Sequence, residues 1–204
     1  IHVLVTGGAG YIGSVVAAQL IAAGHRVTVL DNLNRGHREA APAGGELVTG
    51  DVSDRALLDT VFARLKVDAV LHFAALLEVG ESMREPERYF RNNSAGTLTL
   101  LEAMRAHGVS RIVFSSTAAL FGEPERAPID ETHPRRPCNP YGESKLITER
   151  MLEWFHRIHG LRYASLRYFN AAGAAGELGE DHEPESHLIP LALQVAMGQR
   201  AQVE

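Results

Sequence analysis

The stretch Val3-Leu4-Val5-Thr6-Gly7-Gly8-Ala9-Gly10-Tyr11-Ile12-Gly13 constrains this chain more than any other. A short apolar run ends in Thr6, glycines recur at Gly7, Gly10 and Gly13, and a helical segment opens at Tyr11. This is a spacing variant of the strand–turn–helix fingerprint that cradles a pyrophosphate. Gly7 permits the sharp turn, Gly10 lets the backbone approach the anion, and Gly13 lets the helix pack on its strand. Free N–H groups at the helix start then face the negative charge. A second apolar run, Arg26-Val27-Thr28-Val29-Leu30, leads into Asp31, a carboxylate about 20 residues past the glycines that can accept both hydroxyls of an adenosine ribose. The same carboxylate repels a 2′-phosphate, so the reading is NAD rather than NADP. Arg35 is read as turn solvation.

The rest of the chain repeats the alternation. Strands are predicted at Glu46–Thr49, Asp68–Ala74, Arg111–Ser116 and Arg162–Tyr168. Helices are predicted from Asp54 to Leu65, capped by Ser53 or Asp54, from Pro86 to His107, from Tyr141 to His159 and from His187 to Gly198. Such alternation implies crossover connections and a doubly wound parallel sheet, an α/β fold of the Rossmann type. Ligands in these sheets sit beyond the carboxyl ends of the strands. Residues 1–170 are expected to form the dinucleotide-binding domain, and 171–204 the beginning of a smaller, incomplete substrate-binding region.

Bulk properties exclude several classes. At 204 residues, with 45% hydrophobic and 22% charged residues, the chain matches a soluble globular protein. A net charge of −5 gives no basic field for nucleic acid or an anionic membrane. No apolar run reaches the roughly 18 residues of a membrane span, and no leader is evident. The lone Cys138 rules out an internal disulfide and fits a reducing cytoplasm.

The chemistry is expected at Tyr141-Gly142-Glu143-Ser144-Lys145, which places a phenol and an ammonium at i and i+4 on one helix face. A phenol of pKa near 10 is a poor base until a nearby cation, or the positive nicotinamide of NAD⁺, favours the phenolate. Both residues are expected outside the packed core. Thr117, just past a strand, offers a hydroxyl to the same reacting oxygen. No metal is expected: His182 and His187 with Glu180, Asp181, Glu183 and Glu185 match no standard zinc spacing.

Taken together, the glycine series, His72-Phe73-Ala74-Ala75, Gly80-Glu81-Ser82, Asn92-Asn93, Ser115-Ser116-Thr117, Pro140 to Lys145, Arg167-Tyr168-Phe169-Asn170, Gly179-Glu180-Asp181 and His187 to Pro190 resemble the extended short-chain dehydrogenase/reductases, most closely the UDP-glucose 4-epimerases. The resemblance implies bound NAD, a nucleotide-sugar substrate such as UDP-glucose or UDP-galactose, and a homodimer formed by the two long helices. It assigns Gly7, Gly10, Tyr11, Ile12 and Gly13 to the pyrophosphate turn, and Asp31 and Asn32 to the ribose. Asp51 and Val52 flank the adenine, while Phe73, Ala74, Ala75 and Leu77 line the middle of the cofactor. Asn92 contacts it from the next helix, and Phe169 backs the nicotinamide. Tyr141 is the acid/base, Lys145 its electrostatic partner and a ribose ligand, and Thr117 the hydroxyl beside the sugar's 4-position. Asn170, His187 and Leu188 meet the nucleotide sugar.

Three positions depart from the family. Leu77 stands where some members carry Lys, Thr117 replaces the common Ser, and His187 stands where some members carry Asn. The family's chain also continues beyond Glu204, with most uridine and diphosphate contacts. Two other functions compete with epimerisation. A nucleotide-sugar 4,6-dehydratase needs an acidic pair after the rim hydroxyl, where this chain has Ala118-Ala119. A non-catalytic NAD-binding module needs no substrate pocket at all.

Overall fold

A strand buried on both faces must be apolar at consecutive positions, and the first strand satisfies this from Val3 to Val5, with its polar ends His2 and Thr6 buried as well. The computed structural model describes residues 1–182, 185 and 187–203. Six strands, β1 (His2–Thr6), β2 (Arg26–Asp31), β3 (Glu46–Thr49), β4 (Ala69–His72), β5 (Arg111–Thr117) and β6 (Arg162–Tyr168), form one sheet ordered β3-β2-β1-β4-β5-β6. Every pairing is parallel. The helices are α1 (Tyr11–Ala22), α2 (Arg55–Leu65), α3 (Val79–Ser82), α4 (Pro86–Tyr89), α5 (Gly96–Ala106), α6 (Pro140–His159) and α7 (Leu188–Ala196).

Side chains alternate between two cores. Leu4, Leu30, Val70, Ile112 and Phe114 pack against Leu58 and Phe62 of α2, Leu101 and Met104 of α5, and Leu152 of α6. Val3, Val5, Val27 and Val29 point the other way, onto Ala17 and Leu20 of α1. Each such large side chain contributes about 1.5–3 kcal/mol when fully buried. The doubly wound α/β expectation therefore holds, with helices on both sheet faces.

Strand order reverses between β1 and β4, which opens a crevice above their carboxyl ends. This explains why β4 is shorter than the expected Asp68–Ala74. The backbone N–H groups of Phe73 and Ala74 both donate to the Thr6 carbonyl, at 2.9 and 3.1 Å, and the chain leaves the ladder there. The expected helix from Pro86 to His107 is also interrupted. A π-helical turn, Phe90–Ala95, separates α4 from α5. Thr97 Oγ1, at the start of α5, donates to the Asn93 carbonyl of this turn at 2.6 Å, and π turns commonly mark functional sites. β5 runs one residue further than expected, so Thr117 ends the strand and also caps the 3₁₀ turn Ala118–Phe121.

Candidate active site

The first turn leaves no room for side chains where its glycines sit. A Cβ on Gly13 would lie 2.1 Å from the Gly7 carbonyl oxygen, and one on Gly7 would lie 2.5 Å from the Ala74 nitrogen. Gly7 also has φ +72°, a region that favours glycine. Asp31 is 7% exposed. Its Oδ2 accepts from the Ala9 N–H at 3.0 Å and its Oδ1 from the Leu33 N–H at 2.9 Å, so the carboxylate pins the glycine turn as well as facing the cleft. Asp51 accepts from the Asn32 amide at 2.7 Å and from the Ser53 N–H and hydroxyl at 2.8 and 2.7 Å. Burial pushes its carboxyl up, but these hydrogen bonds outweigh it and hold the group below its ordinary pKa.

At the other end of the crevice, Asn139 caps α6 by accepting from the Gly142 N–H at 2.8 Å, with Pro140 as the first helical residue. Tyr141, the second helical residue, and Lys145, one turn further on, face the cleft. Burial raises the Tyr141 phenol above its usual pKa, and a hydrogen bond with the Thr117 hydroxyl partly opposes this. Lys145 is 3% exposed, its Nζ donates to the Ser115 carbonyl at 2.8 Å, and it lies 6.0 Å from the Tyr141 ring centre. Burial lowers its pKa to about 7. One expectation is corrected: Lys145 is part of the packed interior rather than outside it. Beneath it, His72 bonds Thr6 and Thr97 at 2.6 and 2.8 Å, and burial, aided by Lys145, drops its pKa to about 3.

A single cleft of about 1120 Å³ joins the two ends. Gly7, Gly10, Tyr11, Ile12, Gly13, Asp31, Asn32, Asp51 and Val52 line one part. Phe73, Ala74, Ala75, Leu77 and Asn92 line the middle, and Thr117, Tyr141, Lys145, Phe169, Asn170, His187 and Leu188 the far part. Every site residue expected from the sequence thus reaches one cavity. Its small-residue turn and the Asp31 carboxylate beside it fit a dinucleotide.

Two groups of polar residues add to this picture. Glu180, His182, Glu185 and His187 gather with ligand atoms within 4.8 Å of one another, while Glu183 lies outside the described residues. Within it, His187 Nδ1 lies 2.7 Å from Glu180 and 2.9 Å from Glu185, and His182 Nδ1 lies 3.4 Å from Glu180. Glu149, which sequence reasoning passed over, is 2% exposed and bonded to Ser116, Arg167 and Arg135. The signal was present in its place one further helical turn beyond Lys145.

Residues 3–203 match the model of the NAD dependent epimerase/dehydratase family. The chain belongs to that family. Among curated family members, it is 56% identical over 198 residues to the UDP-glucose 4-epimerase of Streptomyces lividans, covering 97% of this chain and 60% of that protein. The crystal structure of UDP-glucose 4-epimerase from Brucella ovis in complex with NAD superposes with a TM-score of 0.96 at 47% identity, covering 99% of this chain and 62% of that one. The Bifidobacterium longum UDP-glucose 4-epimerase, in complex with NAD⁺ and UDP, gives 0.93 at 39% identity, covering 100% of this chain and 64% of that one. The chain therefore spans about 60% of the length of the relatives it matches.

Proposed function

We propose that this chain carries the NAD-binding domain and the acid–base centre of a UDP-glucose 4-epimerase, which inverts C4 of a UDP-linked hexose. The reading rests on one observation above all: the Gly7–Gly13 cradle with Asp31, and the Tyr141, Lys145 and Thr117 group, open into the same cleft. Bound NAD supplies the acceptor and donor of the C4 hydride. The chain's own residues do the rest. Tyr141 takes the proton of the sugar's 4-hydroxyl and returns it, and Thr117 orients that hydroxyl. Lys145 would donate to the cofactor's ribose and act as the electrostatic partner of Tyr141. Phe169 backs the nicotinamide, while Asn170, His187 and Leu188 hold the nucleotide sugar at the start of the substrate region, 171–204. Holding both faces of one carbon within reach is the main catalytic demand on the protein.

Ala118 and Ala119 line the cleft where a dehydratase needs an acid and a base, which favours epimerisation over elimination. A homodimer is proposed on the long helices, where Leu98 of α5 and Trp154 and Ile158 of α6 are exposed. Among the described residues no helix is long and apolar enough to cross a membrane, and we place the protein in the cytoplasm. Product NMR tests the activity on a chain of the relatives' length, given UDP-galactose or dTDP-glucose. Interconversion of the galactose and glucose forms is expected. A 4-keto-6-deoxy sugar would replace this reading with the dehydratase.

A further inference from the structure

We propose that Glu149 is a positioning residue for this site, a buried carboxylate that holds two strand ends and the catalytic helix in one register. It lies one helical turn after Lys145 and is 2% exposed. Ser116 and Arg167 face each other across the β5–β6 ladder. Oε1 of Glu149 accepts from both: the Ser116 hydroxyl at 2.7 Å and Arg167 Nε at 3.0 Å. Oε2 accepts from Arg167 Nη2 at 2.7 Å and from Arg135 Nη1 at 3.3 Å. Ser116 immediately precedes Thr117, and Arg167 comes two residues before Phe169 and three before Asn170. One carboxylate therefore links α6, which carries Tyr141 and Lys145, to the ends of β5 and β6, which carry the hydroxyl and the substrate-side residues.

A buried ion pair is a weak source of net stability, but a two-pronged guanidinium–carboxylate pair fixes orientation strongly. Orientation is what an acid–base site needs, since about 1 Å of misplacement can cost on the order of a hundredfold in rate. The second side of the arginine is held as well: its guanidinium lies 5.3 Å from the Phe121 ring centre, and Phe121 packs with Leu120 and Leu146. The anchor thus fixes the approach of Thr117 to Tyr141 without touching the substrate. The inference rests on the proposed roles of Tyr141 and Thr117.

The test reads that approach directly. Tyrosines of the 204-residue chain are labelled with ¹³C at Cζ, and spectra are recorded at neutral pH, with Tyr141 assigned by its loss in Tyr141→Phe. Thr117→Val sets the displacement expected when the hydroxyl contact is gone. Ser116→Ala, which leaves the ion pair intact, and Arg167→Lys, which keeps the charge but loses the fork, should move the Tyr141 resonance in the same direction by at least half as much. Tyr11, on α1, should stay in place, whereas Tyr89, whose ring lies edge-on 6.4 Å from that of Tyr141, serves as no control. Glu149→Gln should do the same, and if it does not fold the other two variants decide. A merely structural carboxylate would lower the melting temperature of these variants and leave the Tyr141 resonance at the parent position. That result, beside a displaced Thr117→Val, overturns the inference alone. A Thr117→Val chain with a parent-like Tyr141 resonance overturns the hydroxyl contact and the inference with it. Normal turnover by Tyr141→Phe in the longer protein overturns the acid–base reading separately.

Discussion

Lys145 is buried beside the Phe114 ring, with its Nζ 4.9 Å from the ring centre and bonded to the Ser115 carbonyl. Desolvation brings its pKa from 10.5 to about 7. Between those values the unfolded chain binds more protons than the folded one, so this group's contribution to stability rises with pH. The penalty is present in full below about pH 7 and lifts as pH climbs toward 10.5. At about 1.36 kcal/mol per unit, the swing is on the order of 3–5 kcal/mol. Denaturant unfolding of the NAD-free chain between pH 6.5 and 9.5 should therefore show the parent gaining on Lys145→Met as pH rises; parallel curves would contradict the burial argument. Asp31 makes a second residue-scale case, because its carboxylate binds Ala9 and Leu33 N–H groups while facing the cleft. Asp31→Ala should weaken NAD binding by about 1.5–3 kcal/mol in calorimetry, typical of hydrogen bonds to a charged group. It should also lower the melting temperature, since two N–H groups lose their acceptor. The residue types and spacings of both sites were legible in the sequence. Their surroundings were not, because burial of Lys145 depends on Phe114 and Ser115, some thirty positions away, and spacing cannot report that.

The elements follow from local signals where those signals are self-contained. Asp54 accepts from the Leu57 N–H at 3.0 Å and starts α2, while Gly160, with φ +71°, ends α6, both as the residue types suggest. Asn139 caps the helix that carries Tyr141, so its loss acts on stability and site together. Asn139→Ala should cost about 1 kcal/mol, roughly 2–4 °C in melting temperature for a chain of this size, and should weaken activity more than an equally destabilising surface change. Thermal scans paired with turnover would show this; unchanged melting would remove the cap from the account. Elements that depend on distant partners were hidden. The turn at Phe90–Ala95 forms where Asn93 reaches out of its helix, its amide donating to the Leu76 carbonyl at 2.9 Å and to Ser144 Oγ at 3.0 Å. The end of β4 is likewise set by the Thr6 carbonyl on β1. No window of local sequence contains either partner.

At the scale of the whole molecule, the reversal of strand order places the glycine turn and the Tyr141 helix around one crevice, and the alternation of strands and helices made that arrangement readable in advance. The anchoring of three elements by Glu149 was not readable, since it joins residues from Ser116 to Arg167 that only the folded sheet brings together. Residues beyond β6 are less enclosed: Phe169, Leu188, Ile189 and Leu193 are exposed, and the chain spans about 60% of its relatives' length. Turnover is therefore best measured in a protein of the relatives' length. The central claim is that one phenol in the cofactor cleft performs the proton transfers of C4 inversion, separately from folding and from cofactor binding. Tyr141→Phe removes only its hydroxyl, and acid–base catalysis typically contributes about 10²–10⁴-fold. The measurement is the rate of UDP-galactose to UDP-glucose conversion by parent and Tyr141→Phe, alongside their NAD affinities and melting temperatures. A rate loss of at least about a hundredfold, with NAD affinity and melting nearly unchanged, is the predicted result, whereas a Tyr141→Phe rate close to the parent's would contradict it.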